Sequence, residues 1–386
     1  MEVLFWLLVV AAAYSYFIYP ALLSLLPARP PFDPRGDEFA EPCLTLVIPA
    51  FNEGGRIADK IENTLTIDYP AEKLQIIVAS DASTDSTDKV IKSYAAQGVI
   101  HVRASAHRGK EYVQALALNK ATGDIVVFSD SATIIPADSL RKLVQEFRDP
   151  DIGAVSSQDV ILDRDGNRTG ESSYVRYEMW LRRLESSRNS LIGLSGSFFA
   201  TRRELCEDWD HQVPGDFTVA MRCAQRGLRA ISSEQVVGHY QEVADDAHEY
   251  QRKLRTVIHG FAAVAARVEV LNPLRYGLFA LQTWSHKIMR WLVPWLALPV
   301  FMLNIALVYK GGIYEALFFI QLAFGLLALC GFLSRRLRQR LPVKIPYYFI
   351  QVNLALMHAA ILFLEGERMV TWEPSVRGVE EAMDEI

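Results

Sequence analysis

The chain has 386 residues, 51% of them apolar, and a formal net charge of −5. That length can bury a full core and leaves room for two or three domains, while so small an acidic excess excludes the electrostatic footprint of a nucleic-acid binder. Cys43, Cys206, Cys223 and Cys330 lack metal-ligand spacing, so a zinc module is excluded and buried fillers are the default.

Residues 3–26 form an apolar run long enough for a helix to cross roughly 30 Å of hydrocarbon. Ala11–Ala13 offer small residues, but Glu2 stands where a signal peptide carries Lys or Arg and the run is too long, so residues 1–26 read as an uncleaved anchor. PARPPFDPRGDEFAEP, residues 27–42, is a Pro-rich linker that cannot sustain a helix.

Residues 43–250 read as a globular domain. Short β-branched runs at 44–48, 76–79 and 125–128 are bounded by Pro, Asp or Gly, as in buried parallel strands. Helical stretches at 54–65, 84–97 and 110–121 fall between them, and that alternation implies a doubly wound α/β sheet. Ligands collect beyond the carboxyl ends of such strands. Polar clusters stand at all three ends: Pro49-Ala50-Phe51-Asn52-Glu53, Asp81 with its serines, and Ser129-Asp130-Ser131. Asp85 reads first as a helix cap, whereas Asp81 lies nearer its strand end. There is no Walker lysine motif and no GxGxxG.

The stripe Tyr174, Tyr177, Trp180, Leu181 and Leu184 reads as a core-facing helix side. LSGSFFATRR, residues 194–203, is a small-residue turn feeding a strand, where Ser195 and Gly196 permit close approach to a ligand or satisfy turn geometry. Asp216 precedes a helix; it is either an N-cap contributing about 1 kcal/mol or a general base at a helix start beside a pocket. Arg252 and Arg255 share one helix face and suit a diphosphate, or anionic head groups.

Residues 251–287 read as amphipathic and interfacial, and residues 288–364 hold three further membrane segments at 288–309, 313–333 and 345–364, the last either spanning or re-entrant. His286, Lys287 and Arg290 head the first of these as basic anchors or contacts for a lipid phosphate. Arg335, Arg336, Arg338 and Arg340 follow 313–333 and by the positive-inside tendency face the cytoplasm, which also places the globular domain there. Asn167-Arg168-Thr169 is then an unused glycosylation acceptor. Residues 365–386 form a tail containing TWEPSVR.

LVIPAFNE, VASDASTDST, FSDSAT, GDFTVAMR and RKLRT, in that order and spacing, resemble the motifs of membrane-bound family 2 glycosyltransferases with the GT-A fold. The likeness is to the branch of cellulose, hyaluronan and poly-N-acetylglucosamine synthases. It implies an integral inner- or plasma-membrane enzyme that transfers a hexose with inversion from a nucleotide diphosphate, UDP by preference, to a lipid-linked saccharide or a growing polysaccharide. By the same resemblance Pro49, Ala50, Asn52, Glu53, Asp81, Lys110, Asp130, Arg252 and Arg255 bind the nucleotide sugar, with Asp81 on the base and the two arginines on the departing diphosphate. Ser195 and Gly196 border the acceptor, Asp130 holds Mg²⁺ or Mn²⁺, and Asp216 is the general base. A partner subunit could supply further membrane helices. Two positions depart from the pattern: Ala132 replaces the second metal-associated residue, and Thr256 stands where processive synthases carry a Trp. These departures motivate the alternative of a catalytically degenerate nucleotide-sugar sensor or assembly scaffold.

Overall fold

In a computed structural model of the chain, residues 1–30, 32, 40–162, 173–241, 246–369 and 371 are described. Residues 167–169 and the tail motif from 372 onward lie outside them. The chain forms two compact units. One is built from Pro27–Asp246 with Ala262–Phe279, the other from Met1–Leu26 with Ala247–Phe261 and Ala280–Glu367.

The first unit contains a seven-stranded sheet: β1 (Leu44–Ala50), β2 (Leu74–Ser80), β3 (Val99–Arg103), β4 (Ile125–Ser129), β5 (Ile152–Leu162), β6 (Phe198–Arg202) and β7 (Arg229–Gln241). Their order is β3-β2-β1-β4-β6-β5-β7. Apolar residues fill both faces of β1, which is buried along its whole length, because helices cover the sheet on both sides. Leu44, Leu46 and Ile48 point to one core with Ile57, Ile61, Leu140 and Leu143. Val47, Val126 and Phe128 point to the other with Val113, Ala117, Val219 and Ala220. This period-two alternation is the strand signature.

The covering helices are α2 (Ile57–Leu65), α3 (Thr87–Ser93), α4 (Lys110–Leu118), α5 (Ser139–Glu146), α6 (Ser173–Arg188) and α7 (Gly215–Gln225), with the anchor helix α1 (Glu2–Leu25) preceding them in the chain. Two begin later than the sequence suggests. Gly54 and Gly55 delay α2, and at α3 the Asp85 carboxylate accepts from the Thr87 N–H at 3.0 Å and from its hydroxyl, holding the chain in a turn until residue 87.

The sheet is mixed rather than wholly parallel. β1, β2, β3 and β4 run parallel, but β6 is antiparallel to both β4 and β5. The α/β class and the parallel β1, β2 and β4 are as expected; the antiparallel β6 is not, and it has a direct consequence for the site. Pairing Ser129 with Phe198 brings the turn at 194–197 to the carboxyl edge of the sheet, where β1, β2 and β4 end.

The second unit is helical. Among the described residues four helices are long and apolar enough to cross a membrane: α1, α9 (Pro273–Lys310), α10 (Ile313–Leu333) and α11 (Leu341–Leu364). Between α1 and α9 this unit also takes in most of α8 (Asp246–Ala266), the helix carrying Arg252 and Arg255. The apolar stretch α9 begins well before residue 288 and bends at Gly277, whose φ of 50° and ψ of −126° break the helical ladder.

Candidate active site

The carboxyl ends of β1, β2 and β4 carry the residues singled out from the sequence. Pro49 and Ala50 close β1, and the Ala50 carbonyl accepts from the Asp81 N–H at 2.9 Å. Asn52 has a left-handed φ of 50° and Ala82 one of 58°. Asn tolerates that region and Ala rarely does, so the backbone beside Asp81 is strained in the way functional loops often are. The Asn52 side chain accepts from the Thr84 N–H at 2.8 Å, which ties the β1 and β2 loops together.

Asp81 is fully buried. Its Oδ1 accepts from the Arg108 N–H at 2.9 Å and its Oδ2 from the Gly109 N–H at 2.7 Å, with His107 Nδ1 2.8 Å from Oδ2. His107 stacks on Phe51, ring centroids 3.8 Å apart. Gly109 needs its φ of 102° to present that N–H and start α4. Asp81 therefore holds the loop that delivers Lys110.

Lys110 is the hub. Its ammonium lies 2.5 Å from Asp130 Oδ1 and donates to the Gly196 carbonyl at 2.7 Å. Burial works against that charge, but Asp130, with Glu111 and Asp216, outweighs it and raises the pKa. The Asp130 N–H in turn donates to the Ser197 carbonyl at 2.9 Å. A side-chain carbon placed on Gly196 would lie 3.1 Å from Asp216 Oδ2. The loop that Asp81 holds thus carries Lys110, which contacts Asp130 and the Gly196 carbonyl directly, and Gly196 stands beside Asp216, so the three aspartates gather at one cleft on the carboxyl edge of the sheet.

Asp216 is not the N-cap considered from the sequence. Pro214 occupies that position, and Asp216 lies in the first turn of α7, where its Oδ1 accepts from the Phe217 N–H at 2.9 Å. A carboxylate there is favoured by the helix dipole. Glu53 is buried between the Ser131 hydroxyl at 2.9 Å and Arg56 at 2.5 Å, and so braces the Asp130 loop from the β1 side. Arg252 and Arg255 sit three residues apart on α8, within the helical unit.

Several residues of the cleft escaped the sequence reading. Lys60 is 3% exposed, and its ammonium donates to the Ser129 hydroxyl at 2.7 Å and the Thr133 carbonyl at 2.6 Å, clamping both ends of the Asp130 loop. Burial drives its pKa down to about 7, against the pull of Asp130. Glu111, beside Lys110, is buried and pushed up to about 7, by burial first and by Asp216 and Asp130 after it, with Lys110 opposing. Asp159 Oδ1 accepts from the Ser195 hydroxyl at 2.7 Å and the Tyr240 hydroxyl at 2.9 Å. Burial and then Asp159 hold the Tyr240 hydroxyl well above its usual pKa. Lys60 stands among polar and apolar residues of an amphipathic helix, with no sequence sign of its burial, and no spacing rule links Asp159 to Tyr240.

No group of three or more His, Cys, Asp or Glu side chains among the described residues could hold a metal. Asp130 does present one carboxylate whose Oδ2 makes no hydrogen bond among the described residues, on a side chain 37% exposed. That suits Mg²⁺ or Mn²⁺, which keep waters and bind through one or two carboxylates plus substrate phosphates. A separate cavity lined by Arg29, Asp151, Arg229 and Tyr276 shares no residue with this cleft.

The model of the family described as "Glycosyl transferase family 2" matches residues 45–210. An N-acetylglucosaminyltransferase of Bradyrhizobium elkanii is 34% identical over 127 residues, which cover 32% of this chain and 69% of that protein. Another of that name, from Bradyrhizobium diazoefficiens, is 31% identical over 44% of this chain and 37% of its own length. A poly-β-1,6-N-acetyl-D-glucosamine synthase of Staphylococcus aureus is 26% identical over 58% of this chain and 55% of its own. The chain thus spans about a third of one of these curated relatives and about half of another. Among solved structures, a mannosyltransferase from Pyrobaculum calidifontis in complex with GDP-Man and Mn²⁺ shares the fold, with a TM-score of 0.71, 24% identity, and coverage of 95% of this chain and 99% of that one. The order of the strand-end motifs, the mixed sheet that gathers them and these relatives agree: the chain belongs to glycosyl transferase family 2.

Proposed function

We propose that the protein is an inverting hexosyltransferase that takes its sugar from a nucleotide diphosphate and delivers it to a membrane-associated acceptor, a lipid-linked saccharide or a growing polysaccharide. One observation carries this reading: Lys110 joins the Asp130 carboxylate to the Gly196 carbonyl, and the Asp216 carboxylate faces the Cα of that same glycine. A fixed ammonium beside a partly exposed carboxylate suits a diphosphate leaving group, and a second carboxylate one residue away suits proton removal.

In this mechanism the Asp130 loop, held by Lys60 and Glu53, positions the diphosphate, and Lys110 stabilises the charge that develops on it. A divalent ion held by Asp130 would add Lewis-acid neutralisation of that diphosphate. Asp216 accepts the proton of an acceptor hydroxyl as its oxygen attacks the anomeric carbon opposite the leaving group, which inverts the centre. Base catalysis of this kind contributes about 10²- to 10⁴-fold. The family resemblance, rather than geometry, assigns Arg252 and Arg255 of the helical unit to the departing diphosphate. Asp81 serves the nucleotide pocket by fixing the loop at 107–109, and its contact with the base would require His107 to turn aside.

The N-acetylglucosaminyltransferase relatives favour an N-acetylglucosaminyl donor, and four apolar helices favour an acceptor in the membrane, with or without a partner subunit. Incubating the full-length protein in detergent with each nucleotide sugar, native lipid extract and Mg²⁺ or Mn²⁺ tests the assignment. Turnover is expected with one donor, and Asp216→Asn should lower it about 10²- to 10⁴-fold while nucleotide binding persists. Retained turnover in that variant would remove Asp216 from the mechanism; tight donor binding by the wild type without turnover would support a sensor instead.

A further inference from the structure

A second polar network adjoins the cleft on the side of the 194–197 turn. Asp159, near the end of β5, accepts at Oδ1 from three hydroxyls: Ser195 at 2.7 Å, Tyr240 at 2.9 Å and Ser157 at 3.3 Å. The Ser197 hydroxyl closes the ring, 3.0 Å from the Ser195 hydroxyl and bonded to that of Tyr240. Asp159 Oδ2 makes no hydrogen bond among the described residues, and the side chain is only half-buried. One carboxylate oxygen is thus saturated, and the other accepts nothing from the described residues, which leaves it for solvent or a ligand hydroxyl.

The network is also wired to the chemistry. Ser195 and Ser197 flank Gly196, whose carbonyl takes the Lys110 ammonium and whose Cα faces Asp216. The Ser197 carbonyl accepts from the Asp130 N–H, and Asp130 acts electrostatically on the Tyr240 hydroxyl. From the other side the Ser195 N–H donates to the Ser156 hydroxyl at 2.7 Å, which also accepts from Arg182 at 2.8 Å, so the turn is fixed at both ends. A fixed carboxylate oxygen amid hydroxyls is suited to a neutral ligand rich in O–H donors and unsuited to an anion.

We propose that Asp159, oriented by Ser195, Ser197 and Tyr240, is a sugar-binding residue whose Oδ2 accepts a ring hydroxyl of one of the two saccharides that meet at Asp216. This rests on the transferase assignment above. The ring belongs either to the donor or to the acceptor, and the two sources give different signatures.

The experiment uses the full-length protein in detergent and the variants Asp159→Asn and Tyr240→Phe. Three quantities are read: affinity for the free nucleoside diphosphate, affinity for the matching nucleotide sugar, and KM for the acceptor. Losing one charge-assisted hydrogen bond weakens a saccharide about 10- to 100-fold. If the donor ring is bound, Asp159→Asn loses that factor for the nucleotide sugar and keeps its affinity for the nucleoside diphosphate. If the acceptor ring is bound, both donor affinities persist and the acceptor KM rises by that factor. Tyr240→Phe should give the same pattern at smaller amplitude, because Tyr240 only orients Asp159. All three quantities within about twofold of wild type, or equal losses for nucleotide and nucleotide sugar with a lowered melting temperature, would overturn the proposal. A wild-type protein that binds no nucleotide sugar would instead overturn the transferase assignment, and this inference with it.

Discussion

Glu111 begins α4 next to Lys110, buried in a wall of the cleft that also contains Asp130 and Asp216. Its folded pKa of about 7 lies above the ordinary value of 4.5, so the folded protein binds this proton more tightly than the unfolded chain. Stability from Glu111 is therefore complete below about pH 4.5 and is lost as pH rises through about 7. Glu111→Gln removes the titration. The variant should melt higher than wild type at pH 8, by an amount on the order of 3 kcal/mol, with the gap closing toward pH 5. Melting temperatures of both proteins across that range check this, and parallel curves would refute it. Nothing in the chain around Glu111 hints at such behaviour, since a Glu at the start of a helix ordinarily reads as a solvated partner of the dipole. Lys60 was illegible for the same reason. Its neighbours in the chain describe an amphipathic helix, and only the fold reveals that this position turns toward the Ser129 hydroxyl.

Among elements, the strands easiest to find in the sequence were β1, β2 and β4, each a short apolar run rich in β-branched residues that leads into a loop bearing Asn52, Asp81 or Asp130. β5 was obscured because it spends polar residues internally. Ser156 and Ser157 of β5 are buried and bond the 194–197 turn and Asp159, which erases the apolar signal that strand recognition depends on. Two glycines separate what serves the fold from what serves the cleft. Gly123 precedes β4, and a side-chain carbon there would sit 2.5 Å from the backbone of Leu44 and Thr45. Backbone cannot yield, so Gly123→Ala should destabilise by about 1–3 kcal/mol, as overpacking does. At Gly196 the added carbon meets only the Asp216 carboxylate, at 3.1 Å. Gly196→Ala should therefore leave the melting temperature nearly unchanged while displacing the base and lowering turnover about 10- to 100-fold. Thermal melts and donor turnover on the two variants give opposite signatures if the division is right. A stable, inactive Gly123→Ala or an unstable, active Gly196→Ala would refute it.

At the scale of the whole molecule, the helical unit sets the path of the chain across the membrane. Glu2, at the start of α1, pairs with Lys310 at the end of α9, and the Tyr14 hydroxyl meets that of Ser285 at 2.9 Å nearer the other end. α1 and α9 are therefore antiparallel, and Phe5, Val300, Leu307 and Tyr314 pack between these helices and the start of α10. It follows that the chain between Leu25 and Pro273, which holds the sheet, leaves and re-enters the membrane at one face. α10 crosses back to that same face, where Gly331 lets Val343 and Tyr347 of α11 approach closely and the single turn Arg335–Arg338 follows. The positive-inside tendency predicts that this cluster of arginines is cytoplasmic, and with it that the cleft shares the cytoplasm with its nucleotide sugar and that Lys310 faces away. In sealed, right-side-out vesicles, with the exposed Cys43 and Cys330 changed to Ser, a membrane-impermeant maleimide should label Lys310→Cys at once and Arg336→Cys only after permeabilisation. The reverse order would place the cleft outside, where it could not reach a cytoplasmic donor, and would force the acceptor and the donor pool of the proposed reaction to be reassigned together.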